Sequence, residues 1–498
     1  MEDYRQAVIL GSVAFYMILC IGVGLWAMRR THSAGDFFVA GRGLGPLVVS
    51  LAVFSSTLSG FGFVGGPGLV YAGGLSSLWM AVVSALGFGL GFYLISKRIR
   101  MIAEVRDTFS LPDVIAARFG GRAARGLTAL TILLGVLGYM ATQILAMATV
   151  LNIILSETET LAWVGITGSV VISTAVLLFY SVTGGIIASV YTDLVQGLIM
   201  SFAGVLVVIT AAGIFDSGFS GVSHTLLVTD AEAIMPFGTL GAFASLGWAF
   251  LFGLGLAGQP HVVTKMMMNR NLGDNRLTLP MTIVGYAFAA MLWISIGMVM
   301  RALVIGDVAL PLAFADEAAP RFLQDYAHPL LAGVVFAGLF AAIMSTADSF
   351  LNIGAAAITH DLPRALKGRS LDRELYWARV TTVVLCVFSA AFALFSHYVN
   401  DTLIGILGAF GWGTFAAALA PVLIFGLNWK GASPRAAVFS ILFSLVFNLV
   451  FQVFQIKLPY AMSPGFIVLL ASMILFIVIS LADGRRPLPR DIDRILEL

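Results

Sequence analysis

The sequence has 498 residues, of which 59% are hydrophobic and 11% charged, with a mean hydropathy of +0.98. A soluble chain of this size needs a far denser charged shell, so a soluble globular enzyme is excluded at the outset. The net charge of +2 gives no basic field for nucleic acid, and Cys20 and Cys386 sit in apolar runs, where they support neither a disulfide framework nor a thiolate metal site.

Thirteen hydrophobic segments are predicted in chain order, at 7–28, 45–73, 76–96, 126–153, 161–180, 185–213, 239–262, 278–303, 329–356, 375–397, 402–428, 434–453 and 462–482. Runs of this length can cross a hydrocarbon core of about 30 Å as helices. They are continuously apolar instead of alternating, which argues against a transmembrane barrel. The first run follows Glu2 and Asp3, not a basic stretch, and exceeds a signal-peptide core of about 7–15 residues. It is expected to be a retained helix.

With thirteen crossings, 24 of the 28 Lys and Arg fall on one side of the membrane. That set includes Arg29, Arg30, the Lys97–Arg125 loop, Lys265 to Arg276, Arg364 to Arg379 and Arg485 to Arg494; the other side holds Arg5, Arg301, Arg321 and Lys457. The positive-inside rule therefore predicts an external N-terminus and a cytoplasmic C-terminus in a bacterial-type inner membrane. The external loops at 214–238 and 304–328 are long enough for short surface helices.

The second segment contains Ser55-Ser56-Thr57-Leu58-Ser59-Gly60, then Gly62, Gly65, Gly66, Pro67 and Gly68. The seventh carries Gly253, Gly255, Gly258, Gln259 and Pro260. Both make poor continuous helices, and five segments separate their starts, an odd spacing that places the two halves in opposite orientations. Interrupted segments at matching places of two halves point to a midplane binding site in secondary transporters, where unwound backbone exposes carbonyls to a cation. Glycines that merely let helices pack closely are the plainer alternative.

Inside the predicted spans the acidic residues are Asp193 and Asp348, and no Lys or Arg is expected at that depth. Ser345, Asp348, Ser349 and Asn352 recur at i, i+3, i+4, i+7 and form one polar face; Gln196 shares a face with Asp193. Hydroxyl, carbonyl and carboxylate oxygens suit a hard cation, so sodium or a proton is the expected partner of these carboxylates. Ser345 and Thr346 can instead bond the carbonyls of their own helix. The six histidines lie in loops, at interfaces or, for His261, near the end of a broken segment, and none is assigned a metal. Walker, dinucleotide, GxSxG and HExxH signatures are missing from contexts where they would act, so no enzymatic role is expected.

The chain resembles the solute:sodium symporter family over essentially its whole length. The resemblance rests on Gly35-Asp36-Phe37-Phe38-Val39-Ala40-Gly41-Arg42, Ser55 to Gly68, Gly184-Gly185 to Gln196, Gly258-Gln259-Pro260-His261, Ser345-Thr346 and Thr359-His360-Asp361-Leu362. It implies an all-α integral membrane fold of about thirteen helices with a five-plus-five inverted repeat of the leucine-transporter type. The parts would be an extra helix and loop at 1–44, repeats at 45–213 and 239–428, and two further helices with a short tail at 429–498. It implies a sodium site at Ser55 and Leu58 (backbone) with Ala342, Ser345 and Thr346. A second cation or proton site would use Asp193, Ser345, Asp348 and Ser349, with an aspartate at 348 where the family pattern has a small hydroxyl residue.

For the solute, the resemblance and the polar pattern together mark Thr57, Ser59, Gly62, Gln143, Phe252, Leu256 and Gln259. Proline-specific members carry an aspartate in place of Thr57, and a tryptophan and a tyrosine in place of Phe252 and Leu256. The expected function is sodium-coupled import of a small monocarboxylate or neutral amino acid across the bilayer by alternating access. The alternatives are proton coupling through Asp193 and Asp348, or a membrane solute sensor, which the short stretch after 482 makes a poorer fit.

Overall fold

A computed structural model describes residues 2–29, 38, 43–158, 160–400, 404–484 and 487–498. The Gly35–Arg42 motif lies outside the described residues apart from Phe38. Among the described residues there are helices and turns, with a single isolated parallel bridge between Leu44 and Asn269 and no strand.

The helices are α1 Glu2–Met28, α2 Pro46–Gly60, α3 Gly66–Gly73, α4 Leu78–Gly91, α5 Lys97–Val105, α6 Leu111–Phe119 and α7 Arg122–Ser156. Then come α8 Gly165–Ala212, α9 Phe219–Thr229, α10 Gly241–Gly255, α11 Pro260–Met266, α12 Asn275–Ile305, α13 Ala318–Tyr326 and α14 Pro329–Ala356. The chain ends with α15 Leu362–Lys367, α16 Glu374–Phe395, α17 Ile404–Asn428, α18 Pro434–Val453, α19 Pro464–Asp483 and α20 Arg490–Glu497. Proline opens α2, α11, α14, α18 and α19 at a first-turn position, where its missing N–H costs nothing. The two long loops hold α9 and α13; α9 is a surface helix as expected, whereas six of the nine residues of α13 are buried, packed into the bundle instead.

Among the described residues, twelve stretches are long and apolar enough to cross a membrane, and one of them, Pro46–Val105, holds 60 residues. At 1.5 Å per residue that is about 90 Å, roughly three hydrocarbon cores. A turn at Gly74, whose φ of +59° suits glycine, divides it between the two predicted segments, so the described residues accommodate thirteen crossings. The predicted segments 161–180 and 185–213 lie largely in one helical element, α8, whose rise of about 72 Å exceeds one crossing, and two separate apolar windows, Ala162–Phe179 and Ser189–Ala212, correspond to the two predicted passes.

Burial sorts the helices. The apolar windows of α14 and α17 are 83% and 89% buried, against 22% for α1 and 33% for α19. The first two are therefore the centre of the bundle, and α1 and α19 lie at its lipid-facing margin. Lining up on α14 are the first broken helix (α2), the second pass of α8, α7 and α1.

Both expected breaks are present. In the first, Ser59 leaves the helical region with φ 32° and ψ 179°, and a wide turn over Phe61–Gly65 leads into α3. In the second, α10 ends at Gly255, Leu256–Gly258 forms a short tight turn, and Gln259 is extended before Pro260 restarts the helix. The two broken helices are tied at one end. Leu44 donates to the Met268 carbonyl at 3.2 Å and accepts from Arg270 N–H at 2.9 Å, joining the entry of α2 to the exit of α11.

At the basic end of the bundle a charged cluster closes over α14. His360 faces Asp113 of α6 through Nε2 at 2.8 Å and Glu374 of α16 through Nδ1 at 2.6 Å, while Arg125 of α7 approaches Asp113 at 3.1 Å. Ser110 donates to Asp361 at 2.5 Å. Burial works to raise the Asp113 carboxyl, but the hydrogen bond and charge of His360 with Arg125 and Arg364 outweigh it and hold the group below its ordinary value. Asp113, His360 and Asp361 bring ligand-type atoms within 4.8 Å of one another. With both imidazole nitrogens on carboxylates and two arginines beside them, the arrangement is an ion-pair clamp, not a metal seat.

Candidate ion and solute site

Of the predicted sodium residues, Ala342, Ser345 and Thr346 lie on α14 and Ser55 and Leu58 on α2, two helices that pack against each other. Ser55, Leu58, Ala342, Ser345 and Thr346 are all buried. Thr346 Oγ1 donates across the interface to the Ser56 carbonyl at 2.8 Å, and also to its own-helix carbonyl of Ala342 at 3.1 Å. Ser345 Oγ donates to the same Ala342 carbonyl at 3.0 Å, and Ser55 Oγ to Ala52 at 3.3 Å. The plain own-helix bonding and the cross-helix contact thus coexist. Two hydroxyls and the carbonyls of Ala342 and Ser56 gather at this crossing, oxygen donors of the type a sodium ion takes.

One turn away lies the second polar group. Ser189 of α8 donates to Asp348 Oδ1 at 2.9 Å, Ser349 stands 3.4 Å from the same oxygen, and Ser349 Oγ donates to the Ser345 carbonyl at 2.9 Å. Gln196 reaches Tyr16 of α1 at 2.6 Å, so the extra N-terminal helix shares this polar seam.

The expectation that no basic side chain reaches this depth is overturned. Lys265 Nζ donates to Asp193 Oδ2 at 2.8 Å and to the Ala52 carbonyl at 3.1 Å, with Lys265 and Asp193 exposed by 1% and 0%. The sequence places Lys265 just past an apolar segment ending at 262, which reads as loop. The break at Gln259 restarts the helix inside the bundle, so the next turn, Lys265 included, is still within it. Asp193 therefore faces a tethered ammonium.

Around the breaks, the predicted solute residues fall into three groups. Ser59 Oγ and Tyr139 OH are 3.2 Å apart, and Gln143 Oε1 accepts from Gly60 N–H at 2.7 Å, so α7 grips the first break. Phe252 stacks between Phe61 at 5.4 Å and Trp412 at 4.8 Å, and Gln259 Nε2 donates to the carbonyls of Gly255 and Trp412 at 3.1 and 3.2 Å. Gly62 lies on the Trp293 indole, which a Cβ would approach to 3.3 Å. Thr57 bonds back to Val53 at 2.8 Å, and Leu256 packs on Gly87 of α4; neither is drawn toward the other members.

Sequence reading missed Lys265, Ser189, Tyr139, Trp293 and Trp412. Tyr139 had a usable signal, since it sits four residues before Gln143 on one helical face. Trp293 and Trp412 carried none, because an indole in an apolar helix looks like core until its neighbours are known.

A family model described as "Sodium:solute symporter family" matches residues 37–443. The chain is 29% identical to the sodium/proline symporter of Escherichia coli K12, covering 92% of this chain and 90% of the relative. It is 28% identical to the osmoregulated proline transporter OpuE of Bacillus subtilis, covering 96% and 95%. In fold it is similar to a Na+-coupled sialic acid symporter in its substrate-bound outward-open state, with a TM-score of 0.78, 21% identity and 97% and 99% of the two chains covered. A weaker likeness, TM-score 0.53 at 14% identity over 86% and 98% of the chains, is to MhsT in complex with L-phenylalanine.

Proposed function

The chain belongs to the sodium:solute symporter family, and we propose that the solute it imports is a small monocarboxylate or a neutral amino acid. It is a multi-pass membrane symporter that couples uptake of a small polar solute to sodium by alternating access. On our reading the N-terminus is external and the C-terminus cytoplasmic, as the Lys and Arg distribution favours.

The observation that carries the ion assignment is the Thr346–Ser56 contact at 2.8 Å. It joins the central helix to the broken helix at the corner where hydroxyl and carbonyl oxygens collect. Sodium at Ser55, Leu58, Ala342, Ser345 and Thr346 would draw those oxygens together and fix the break in one conformation. Whatever solute that conformation favours then raises sodium affinity by the same factor. Each sodium entering a negative interior adds about 2.3 kcal/mol per 100 mV to the driving force of its gradient. Asp348, Ser349 and Ser189 form a second oxygen group suited to a further cation or a proton.

The relatives named as proline transporters support an amino-acid solute, while Thr57, Phe252 and Leu256 depart from the proline-specific pattern. The test is uptake of labelled alanine, proline, lactate, propionate and glucose into proteoliposomes, with an inward sodium gradient or with potassium instead. Accumulation of an amino acid or monocarboxylate with sodium alone is expected. Accumulation that follows a pH gradient and ignores sodium would transfer coupling to the carboxylates.

A further inference from the structure

Buried polar groups in a folded protein almost always have partners. Beside the two breaks, four side chains hold polar atoms that do not: Gln143 Nε2, Gln259 Oε1, both ring nitrogens of His261, and the Nε1 donor of Trp293 against Gly62. Gln143 and Gln259 are fully buried and His261 is 1% exposed.

The amide orientations are fixed by backbone partners. Gln143 must turn its oxygen to the Gly60 N–H, which leaves its NH2 as donor; Gln259 must turn its nitrogen to two carbonyls, which leaves its oxygen as acceptor. A neutral imidazole adds one donor and one acceptor. The surroundings bring these groups together. Tyr139 shares a face of α7 with Gln143, its hydroxyl meets Ser59, and its ring lies 4.7 Å from Phe350 and 6.4 Å from His261. His261 lies 4.5 Å from Phe350 and follows Gln259 by two residues. Ser59, at the rim of this group, holds a left-handed φ of 32°, a strained conformation that costs energy and collects at binding sites.

We propose that His261 is a solute-binding residue and that the solute is a zwitterionic amino or imino acid. This rests on the symporter reading above and narrows its two solute classes to one. A monocarboxylate only accepts hydrogen bonds. It would satisfy the Gln143 amide and one imidazole nitrogen while leaving the other nitrogen and the Gln259 oxygen unpaired. An amino acid brings acceptor and donor on adjacent atoms. Its carboxylate takes the Gln143 and imidazole donors, its ammonium or imino hydrogens take the two acceptors, and its apolar part lies on Phe350 and Tyr139.

The experiment is sodium-driven uptake of matched pairs, L-alanine with propionate and L-proline with cyclopentanecarboxylate, by the wild-type protein, His261→Phe and His261→Gln. Phenylalanine keeps the ring contacts and removes both nitrogens; glutamine restores one donor and one acceptor. Expected are accumulation of an amino acid but not its deaminated partner and a KM at least about tenfold higher in His261→Phe. His261→Gln should lie between the two, and the sodium half-saturation, measured at saturating solute for each variant, should stay unchanged. A general packing defect would move the sodium dependence and the detergent melting temperature as well. Equal uptake of a deaminated partner overturns the solute class, and a wild-type KM in His261→Phe overturns the residue, each leaving symport intact. A protein that accumulates none of the four solutes under a sodium gradient overturns this inference together with the proposed function.

Discussion

Lys265 Nζ lies 2.8 Å from Asp193 Oδ2 with both side chains buried, joining α11 to α8, and it reaches the Ala52 carbonyl of α2 as well. One ammonium thus holds the two broken helices and the second pass of α8 at a single point. A buried pair adds little net stability over an apolar replacement, but losing one partner strands a charge.

Lys265→Met should therefore destabilise the protein by about 3–5 kcal/mol, read as a fall in melting temperature in detergent. Adding Asp193→Asn should recover more than half of that loss. A single variant as stable as the wild type would mean that the ammonium and carboxylate do not meet.

Thr346 carries the clamp between α14 and α2. Thr346→Ala should raise the sodium concentration for half-maximal uptake by about tenfold, the equivalent of about 1.4 kcal/mol, whereas Thr346→Ser keeps the hydroxyl and should stay near the wild type. Sodium titration of initial uptake rates separates the two. Identical half-saturation in both variants would remove Thr346 from the ion site.

Asp348 shares the hydroxyls of Ser189 and Ser349 beside the proposed sodium corner. If it carries a second cation, Asp348→Ser should lower the charge moved per solute by one. The ratio of current to flux, taken from the voltage that nulls transport at fixed gradients, measures this. An unchanged ratio would leave Asp348 a structural carboxylate.

Asp316 lies in the long loop before α13, where its Oδ2 accepts the Ile404 N–H at the start of α17 at 2.7 Å. Burial pushes its carboxyl up to about 7, against the pull of that backbone bond. A raised folded value means that the folded state binds the proton more tightly than the unfolded chain. Stability should accordingly fall as pH rises from about 4 to about 7. Melting temperatures at pH 5 and pH 8 should differ in that direction, and Asp316→Asn, which keeps an acceptor for Ile404, should lose this contribution. The same pH difference in the variant would place its origin elsewhere.

The crossings, the two breaks and the polar face of α14 were legible in the sequence because each leaves a local signal: an apolar run, a glycine cluster beside proline, a recurrence at helical spacing. The Ser345–Thr346 pair was marked by the resemblance to the symporter family, not by spacing. Lys265 was not legible, since hydropathy ends a segment at the first charge and does not register that a helix restarted at Pro260 is still inside the bundle. The role of α1 was hidden too: Tyr16 meets Gln196 across 180 residues of sequence, and nothing local announces such a pairing. Trp293 was unreadable for a complementary reason. The space it fills is made by Gly62 and Gly66 on another helix, so its environment belongs to neither segment alone.

The most direct test of sodium coupling runs the transporter from its solute side. Proteoliposomes with equal sodium on both faces and the membrane potential clamped at zero are given an inward gradient of the transported solute, and entry of 22Na+ is followed. Transient sodium accumulation is expected, weakened by both Ser345→Ala and Thr346→Ala. Solute entry that draws in protons and no sodium would contradict it.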